Sequence, residues 1–295
     1  MSLLGSGGRL RWRNEMFRIA LVGTENSHAR EIIHHLNVDP ITEAARIVAL
    51  VGPDDEHNRA LATTGTITQL VNTSAELIGS VDALIVTNRD GELHREHAVP
   101  FLDAGIPVWV DKPLAASTAD AQAIIDAANR TSTPVTSYSA VRWLADAEKL
   151  AQGTQQVGEL QAITVTGPAD PASEYSGIFF YGIHAADLAQ RLAPGEPEDL
   201  QVEQTTATVI ARYRSNGVLV TLQLVQPTDT GRVPFHAEIV GREGLVSHDV
   251  RLDEQYVVPG LKVFLNLLAT GRAPLDDATL LAPITVLEQI NAQLT

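Results

Sequence analysis

The 295-residue sequence contains no cysteine, which excludes disulfide bonds, thiolate nucleophiles and cysteine-ligated metal centres. It has no apolar run near the ~20 residues of a membrane-spanning helix, and its start shows no signal-peptide pattern. Positive charge is scarce, because 21 lysines and arginines stand against 36 acidic residues, for a net charge of −15. Such a surface repels polyanions, so neither nucleic acid nor an anionic membrane is expected as a partner. These absences favour a cytoplasmic protein.

The composition allows a sizeable core, since 44% of the residues are hydrophobic. At ~100–200 residues per domain, the length suggests two domains. Residues 1–15, MSLLGSGGRLRWRNE, differ from the rest and resemble a tag or a disordered leader, so they do not enter the fold prediction. We expect a first domain over residues 16–138 and a second over residues 139–295.

The first domain alternates short apolar runs with segments of helical periodicity. Strands are predicted at residues 17–23, 46–52, 81–87, 106–110 and 133–139, with helices between them. Ser27 is the candidate N-cap of the first helix. Strands that are apolar throughout fit a sheet that is covered on both faces. The pattern therefore predicts an α/β fold with a doubly wound parallel (Rossmann) sheet.

The pattern changes after Ser139. A helix is predicted at residues 146–153, a strand at residues 161–167, and closing helices at residues 261–270 and 277–294. The pair Asn216-Gly217 lies between two alternating runs and predicts a β-hairpin, and residues 242–244 predict a second one. The second domain is therefore predicted to be α+β with a mostly antiparallel sheet.

The first strand-to-helix turn, GTENSH, lies where a doubly wound sheet binds ligands. A dinucleotide fingerprint reads G-x-G-x-x-G, but Glu25 and His28 replace its second and third glycines. The exposed amides of a helix N-terminus still attract anions, so a phosphate site and an ordinary turn both remain open. The candidate binding residues of this turn are Gly23, Thr24, Asn26 and Ser27.

The second strand of a dinucleotide-binding domain is expected to end in an acid that binds the adenosine ribose. Here Gly52 stands at that position, and Asp54 and Asp55 follow it. Asp54 is the candidate substitute, while capping of the next helix explains the two acids equally well. The turn contains no arginine or lysine to hold a 2′-phosphate, which favours NAD over NADP.

The stretch HREHAVPFLDAGIPVWVDKPLA, residues 94–115, resembles the Glu-Lys-Pro segment of the glucose-fructose oxidoreductase / inositol dehydrogenase (Gfo/Idh/MocA) family. His94 lies 17 residues before Asp111, which replaces the glutamate and keeps its carboxylate. Three later stretches also resemble the family in the same order: SGIFFYGIHAADLAQ, EIVGREGLV and the two closing helices. The resemblance extends over nearly all of residues 17–290.

The resemblance implies a nicotinamide-dependent oxidoreductase that acts on a sugar, a cyclitol or another polyol, and that forms a homodimer or a larger homo-oligomer. In this family a lysine and a histidine handle the hydroxyl proton, and they correspond to Lys112 and His184. The family's acid four residues before the histidine is replaced by Phe180. Tyr181 could supply a hydroxyl, although neighbouring helix positions point about 100° apart. Asp187 lies one turn after His184 and is a candidate to orient it.

The expected cofactor is NAD, with NADP less favoured, and Arg89 is also a candidate partner for a substrate carboxylate. Together with the turn residues and Asp54, the predicted cofactor-binding residues are Thr87, Asn88, Arg89, His94, Asp111 and Lys112. No metal site is predicted, because His94 and His97 lack the carboxylate of an H-E-x-x-H pattern.

Two further functions are compatible with the sequence. A family member that has lost turnover would act as a nucleotide- or sugar-binding regulatory protein, and three changes favour this reading: the degenerate glycine loop, Gly52 and Phe180. A family member that holds its cofactor tightly would cleave glycosides without net NADH. Substrate specificity is expected to lie in residues 168–176 and 226–233, which do not identify the substrate.

Overall fold

The computed structural model of this protein describes residues 16–294, which form two six-stranded sheets with helices packed on them. The predicted leader at residues 1–15 lies outside the described residues. Within residues 16–294, no helix combines the length and the apolarity needed to cross a membrane.

The first sheet is parallel and has the strand order β3-β2-β1-β4-β5-β6. Its strands are β1 (Phe17–Val22), β2 (Ala45–Val51), β3 (Gln69–Val71), β4 (Ala83–Val86), β5 (Val108–Val110) and β6 (Val135–Ser137). Its helices are α1 (Ser27–Ile33), α2 (Glu56–Gly65), α3 (His94–Asp103) and α4 (Thr118–Thr131). The strand order reverses between β1 and β4, so the carboxyl ends of these two strands flank the ligand-binding crevice of a doubly wound sheet.

Helix α1 begins one residue earlier than predicted. Asn26, and not Ser27, is its N-cap, because the Asn26 side chain accepts a hydrogen bond from the His28 amide at 3.1 Å. The prediction of Ser27 as the cap is therefore wrong. The cap places the Ser27 and His28 side chains in the first turn of the helix, at the edge of the crevice.

The second sheet is mostly antiparallel, with the strand order β12-β11-β7-β10-β9-β8, and only β7 and β10 run parallel. Its strands are β7 (Leu160–Pro168), β8 (Glu198–Gln204), β9 (Thr208–Ser215), β10 (Val218–Val225), β11 (Phe235–Gly241) and β12 (Gly244–Val250). Both predicted hairpins are confirmed, since Ser215 pairs with Val218 and Gly241 pairs with Gly244. The predicted fold class is thereby confirmed.

The helices of the second half are α5 (Ala145–Gly153), α6 (Phe179–Leu192), α7 (Val258–Thr270) and α8 (Asp277–Asn291). Helix α6 packs against β7 and α8. Helix α7 returns to the first sheet, where Phe264 packs on Trp109 with ring centroids 5.6 Å apart. Helix α8 also packs against α4. The two halves therefore share buried contacts that hold the walls of the crevice in place.

Candidate active site

A cleft of about 780 Å³ lies between the carboxyl edge of the first sheet and the β11–β12 hairpin. The first sheet and its connections contribute Asn26, Ser27, His28, Arg89 and Lys112 to its lining. The second half contributes Phe180, Tyr181 and His184 from α6, with Arg232, Phe235, Asp249, Arg251 and Tyr256 from the hairpin and its flanks. The cleft thus brings Lys112 and His184 to one site.

Gly23 is the residue that allows β1 and β4 to end side by side. Its φ is +87°, and a Cβ there would lie 2.1 Å from the backbone nitrogen of Asn88. Thr87 supports the same contact, because its hydroxyl donates to the carbonyl oxygens of Val22 and Gly23 at 2.8 and 2.9 Å. Only a glycine fits at this position.

The rest of the first turn is filled by side chains where the fingerprint has glycines. The Glu25 carboxylate accepts a hydrogen bond from the Arg89 amide at 3.0 Å. The Thr24 carbonyl oxygen lies 2.9 Å from Nε2 of His57. These contacts give the turn a defined shape without the second and third glycines.

Asp111 is 2% exposed and forms a pair with His28 at the end of β5. Its Oδ2 lies 2.7 Å from Nδ1 of His28, which donates because an ionised carboxylate only accepts. Asn26 donates to the same oxygen at 3.5 Å. Burial raises the pKa of Asp111, but His28 and Lys112 together outweigh it and hold the pKa below its ordinary value. The pair keeps a charged carboxylate buried beside the lysine.

Lys112 is 4% exposed, with its ammonium against aromatic rings. Its Nζ lies 4.4 Å from the ring centroid of Phe180 and 6.0 Å from that of Tyr181. Burial lowers the pKa of Lys112, and the nearby Arg89 lowers it further, while Asp111 opposes both. A lysine with a lowered pKa can release and recover a proton more readily than one in water.

His184 is held by Ser139 and not by Asp187. Its Nδ1 lies 2.6 Å from the Ser139 hydroxyl oxygen, which leaves Nε2 as the nitrogen available to a ligand. Asp187 instead accepts hydrogen bonds from the Ser139 amide at 3.1 Å and from Arg142 at 2.6 Å. The expectation that Asp187 contacts His184 is therefore corrected. Burial, followed by the charge of Lys112, lowers the pKa of His184 well below its ordinary value.

Comparison with known proteins supports the first domain most directly. Residues 17–139 match the family model described as "Oxidoreductase family, NAD-binding Rossmann fold", GFO_IDH_MocA. Inositol 2-dehydrogenase 3 of Saccharopolyspora erythraea is 31% identical over 116 residues. Residues 17–139 are therefore similar to the NAD-binding Rossmann domain of the Gfo/Idh/MocA family. The match to the inositol dehydrogenase covers 37% of this chain and spans about a third of that relative's length, 32%.

Solved structures of similar fold cover almost the whole chain. A myo-inositol 2-dehydrogenase from Lactobacillus plantarum has a TM-score of 0.82 at 15% identity, over 94% of this chain and 97% of its own. GenD2 from gentamicin A biosynthesis, in complex with NAD, has a TM-score of 0.80 at 15% identity, over 99% and 98% of the two chains. A dehydrogenase from Chromobacterium violaceum has a TM-score of 0.77 at 19% identity, over 93% and 94%. At these identities the likeness establishes the fold.

The residues predicted to form the site divide into three groups in the structure. Asn26, Ser27, Arg89, Lys112, Tyr181 and His184 line the cleft. Gly23, Thr24, Thr87, Asn88, His94 and Asp111 are buried directly behind it. Asp54 lies apart from both groups at the exposed end of β2, where it pairs with Arg59 at 2.7 Å while Asp55 caps α2.

His94 supports the cleft from behind. Its side chain is fully buried, with Nδ1 2.7 Å from the Pro113 carbonyl oxygen and Nε2 2.9 Å from that of Asn88. It thus ties the connection after β4 to the connection after β5, and its part in cofactor binding stays a prediction. Among the described residues, no group of three or more histidines and carboxylates is arranged to hold a metal ion.

Sequence reasoning missed His28, Ser139 and Tyr256 as site residues. His28 carried a signal, because it replaces a fingerprint glycine just before a helix. Ser139 and Tyr256 carried none, since only the folded chain brings them to the cleft. Burial raises the pKa of Tyr256 to about 12, and its ring centroid lies 5.4 Å from that of His28.

Proposed function

We propose that this protein is an NAD-dependent oxidoreductase that transfers a hydride between the nicotinamide and a carbinol carbon of a sugar, a cyclitol or a related polyol. The observation that carries the proposal is that Lys112 and His184 line one cleft at the carboxyl edge of the first sheet. Both side chains are nearly buried, and the pKa of each is lowered by burial first. A buried lysine and a buried histidine at one site are suited to accepting and releasing a proton.

The residues at the switch point are compatible with a bound dinucleotide. The missing Cβ of Gly23 lets the β1 turn close against Asn88, and the first turn of α1 presents Asn26 and Ser27 to the cleft. The family description and the NAD complex of GenD2, which shares the fold, support the same cofactor. Asn26 and Ser27 are the residues that would hold its phosphates, and Arg89 and Lys112 those that would hold its nicotinamide half.

The proton chemistry follows from the two side chains in the cleft. NAD, when bound, supplies the hydride acceptor. Lys112 in its neutral form accepts a hydrogen bond from the substrate hydroxyl and takes its proton at Nζ as the carbon is oxidised. Nε2 of His184 serves as the second acceptor, because Ser139 already holds Nδ1. Asp111 fixes the strand end that carries Lys112, and His28 keeps that carboxylate charged.

The test is titration of the purified protein with NADH and NADPH, followed by nicotinamide fluorescence and by the midpoint of thermal unfolding. We expect NADH to bind with a raised unfolding midpoint and NADPH to bind more weakly. Oxidation of polyols is then followed as NADH absorbance. An unchanged fluorescence and midpoint with both nucleotides would reject the oxidoreductase proposal.

Phe180 favours one alternative, a family member without turnover that binds a nucleotide or a sugar. Its ring occupies the space over the Lys112 ammonium where the family carries a carboxylate. Such a protein would bind NADH without reducing or oxidising any polyol in a broad panel. Glycoside cleavage with a tightly held cofactor would be recognised by release of a leaving group without net NADH.

We also propose that the protein forms a homodimer or a larger homo-oligomer through the outer face of the second sheet. Leu219, Ala162, Val240 and Leu245 pair in register across β10, β7, β11 and β12, so they form a continuous apolar row. Leu219 and Leu245 are 58% and 57% exposed. A second copy of the sheet would bury this row. Light scattering that gives the monomer mass of 31.7 kDa would count against it.

A further inference from the structure

The cleft carries a charge opposite to that of the molecule. Acidic residues outnumber lysines and arginines by 36 to 21 in the whole sequence. In the lining of the cleft the proportion is reversed, because it contains one acid, Asp249, and four basic residues. Those four are Arg89, Lys112, Arg232 and Arg251. A cleft lined by three arginines attracts anions even in a protein that is acidic overall.

The protein's own carboxylates do not neutralise these arginines. Asp249 is already paired with His236, whose Nδ1 lies 2.7 Å from its Oδ1. Over residues 16–294, no carboxylate lies within ion-pair distance of Arg89, Arg232 or Arg251, whereas Arg59, Arg95, Arg130 and Arg242 are each paired with one. The cleft therefore has cationic groups without partners, which a ligand can supply.

Two of the arginines lie on the substrate side of the site. Phe235 pairs with Val250 in the β11–β12 hairpin, so Arg251 and the segment that holds Arg232 are at the same end of it. The Phe235 ring lies 5.2 Å from the ring of His184, which places that end next to the proton-transfer residues. The first turn of α1, where the phosphates of a dinucleotide would lie, belongs to the first sheet, whereas Arg232 and Arg251 belong to the segments that flank the β11–β12 hairpin.

The third arginine lies on the other side of Lys112. Arg89 packs its guanidinium against the Tyr175 ring, 5.5 Å from the centroid, and is close enough to lower the pKa of Lys112. A neutral polyol would leave the guanidinium groups of Arg232 and Arg251 without an anionic partner. A carboxylate or a phosphate is matched by the planar guanidinium, which donates two parallel hydrogen bonds to such an oxygen pair.

We propose, resting on the oxidoreductase function above, that the substrate carries an anionic group and that Arg232 and Arg251, with Arg89, recognise it. A sugar acid and a sugar phosphate share this chemistry. The reacting hydroxyl then lies at Lys112 and His184, with the anionic group held at the hairpin end of the cleft. Substrate preference is thereby set by the segment after β10 and by the end of β12.

Matched ligands test this inference with the full-length protein. D-Glucose, D-glucuronate and D-glucose 6-phosphate differ only at carbon 6, and galactose with galacturonate makes a second pair. Isothermal titration at low salt should show the anionic member binding about tenfold more tightly than its neutral counterpart. The difference in affinity between the anionic and the neutral ligand should become smaller as sodium chloride is added, because salt screens the exposed arginines. Tighter binding of D-glucuronate indicates a carboxylate site, and tighter binding of D-glucose 6-phosphate indicates a phosphate site.

Arg232→Gln and Arg251→Gln remove the charge and keep a polar side chain. Each is expected to lower the affinity for the preferred anion about tenfold, with NADH binding and neutral-sugar binding unchanged. Arg242→Gln is the control, since Arg242 is exposed on the same hairpin, pairs with Glu159 and makes the same change in net charge. Its anion affinity should stay at the wild-type value.

A panel in which no anion binds more tightly than its neutral counterpart overturns the inference, whatever the result with NADH. Equal losses for anionic and neutral sugars in the two variants overturn it as well, because they indicate general damage to the cleft. Failure of NADH to bind, with the anion preference intact, would reject the redox function and leave the anion site standing.

Discussion

At the end of β5 the polar side chains that face the crevice are mostly buried, with Asp111 bonded to His28 and Ser139 close to His184, whereas Asp54 and Arg59 at the end of β2 are exposed. The reaction end consists of Asp111, Lys112, His28, His184 and Ser139, and the ribose end consists of residues 52–59. Asp54 and Arg59 at the ribose end are 65% and 62% exposed. Water already solvates those side chains.

This difference indicates which end of the crevice has a defined arrangement of side chains, although the glycine fingerprint is incomplete. Burying a charged or polar group is costly unless its partners are in place, so a buried network indicates a defined arrangement. An exposed ion pair is weakly held and adds little. We therefore expect substitutions at the reaction end to have large effects and substitutions at the ribose end to have small ones.

Lys112→Met should give the largest effect. It removes the amine that we propose transfers the proton and keeps the length of the side chain, so kcat for polyol oxidation should fall about 10²- to 10⁴-fold. NADH binding should stay within the range of the wild type, measured by nicotinamide fluorescence. Lys149→Met, at a site 63% exposed, is the matched control and should retain full activity. A Lys112 variant that keeps a tenth of the wild-type kcat contradicts the assigned role.

Asp187→Asn tests how much the buried ion pair between Asp187 and Arg142 stabilises the folded protein. It leaves Arg142 as an unpaired buried charge, because the two side chains are 4% and 8% exposed and 2.6 Å apart. The free energy of unfolding should fall by about 3 kcal/mol, measured by urea denaturation. Asp120→Asn breaks the exposed pair with Arg95 and should cost less than about 1 kcal/mol. Equal losses of unfolding free energy in the two variants would show that burial does not determine how much each ion pair contributes to stability.

Lowering the pH should reduce the free energy of unfolding through two buried histidines, His94 and His184. Burial lowers the pKa of His94 and His184 below the ordinary value of 6.5, so below that pH the unfolded chain binds protons that the folded chain does not. The free energy of unfolding should therefore decrease as the pH falls from 6.5, by up to about 1.4 kcal/mol per pH unit for each histidine. Carboxylates with lowered pKa values add the same trend only at lower pH.

His184→Gln should reduce this slope, because one buried imidazole is removed. Urea midpoints measured between pH 6.5 and pH 5 in the wild type and the variant give the comparison. A variant with the same slope as the wild type would show that His184 takes up its proton in the folded protein as readily as in the unfolded chain.

The sequence allowed the architecture and the positions of Lys112 and His184 to be predicted, because apolar periodicity and the Asp-Lys-Pro segment are local signals. It did not reveal β3 or β8. Strand β3 has three half-buried residues, and β8 reads EDLQVEQ with its residues mostly exposed. Neither shows an apolar run, so their pairing depends on neighbouring strands.

The partners of the predicted site residues could not be read from the sequence for the same physical reason. His28 and Asp111 are 83 residues apart, and Ser139 and His184 are 45 apart. Such pairs form only when the crossovers bring strand ends to one edge. Asp187 shows the limit of local reasoning, because its helical spacing suggested a contact with His184 while a longer-range contact with Arg142 formed.

Asp54→Ala should give the smallest effect and is the sharpest test of the comparison. Because Asp54 is 65% exposed and its partner is Arg59, its loss should change the dissociation constant for NADH by less than about threefold. The measurement is fluorescence titration at low salt, with Asp103→Asn, from the exposed pair with Arg130, as the control. A loss of tenfold or more, absent in the control, would mean that Asp54 turns to bind the ribose hydroxyls. The side chains of the ribose end would then take up their binding arrangement only with the cofactor. Their exposure in the free protein would no longer predict that substitutions there have small effects.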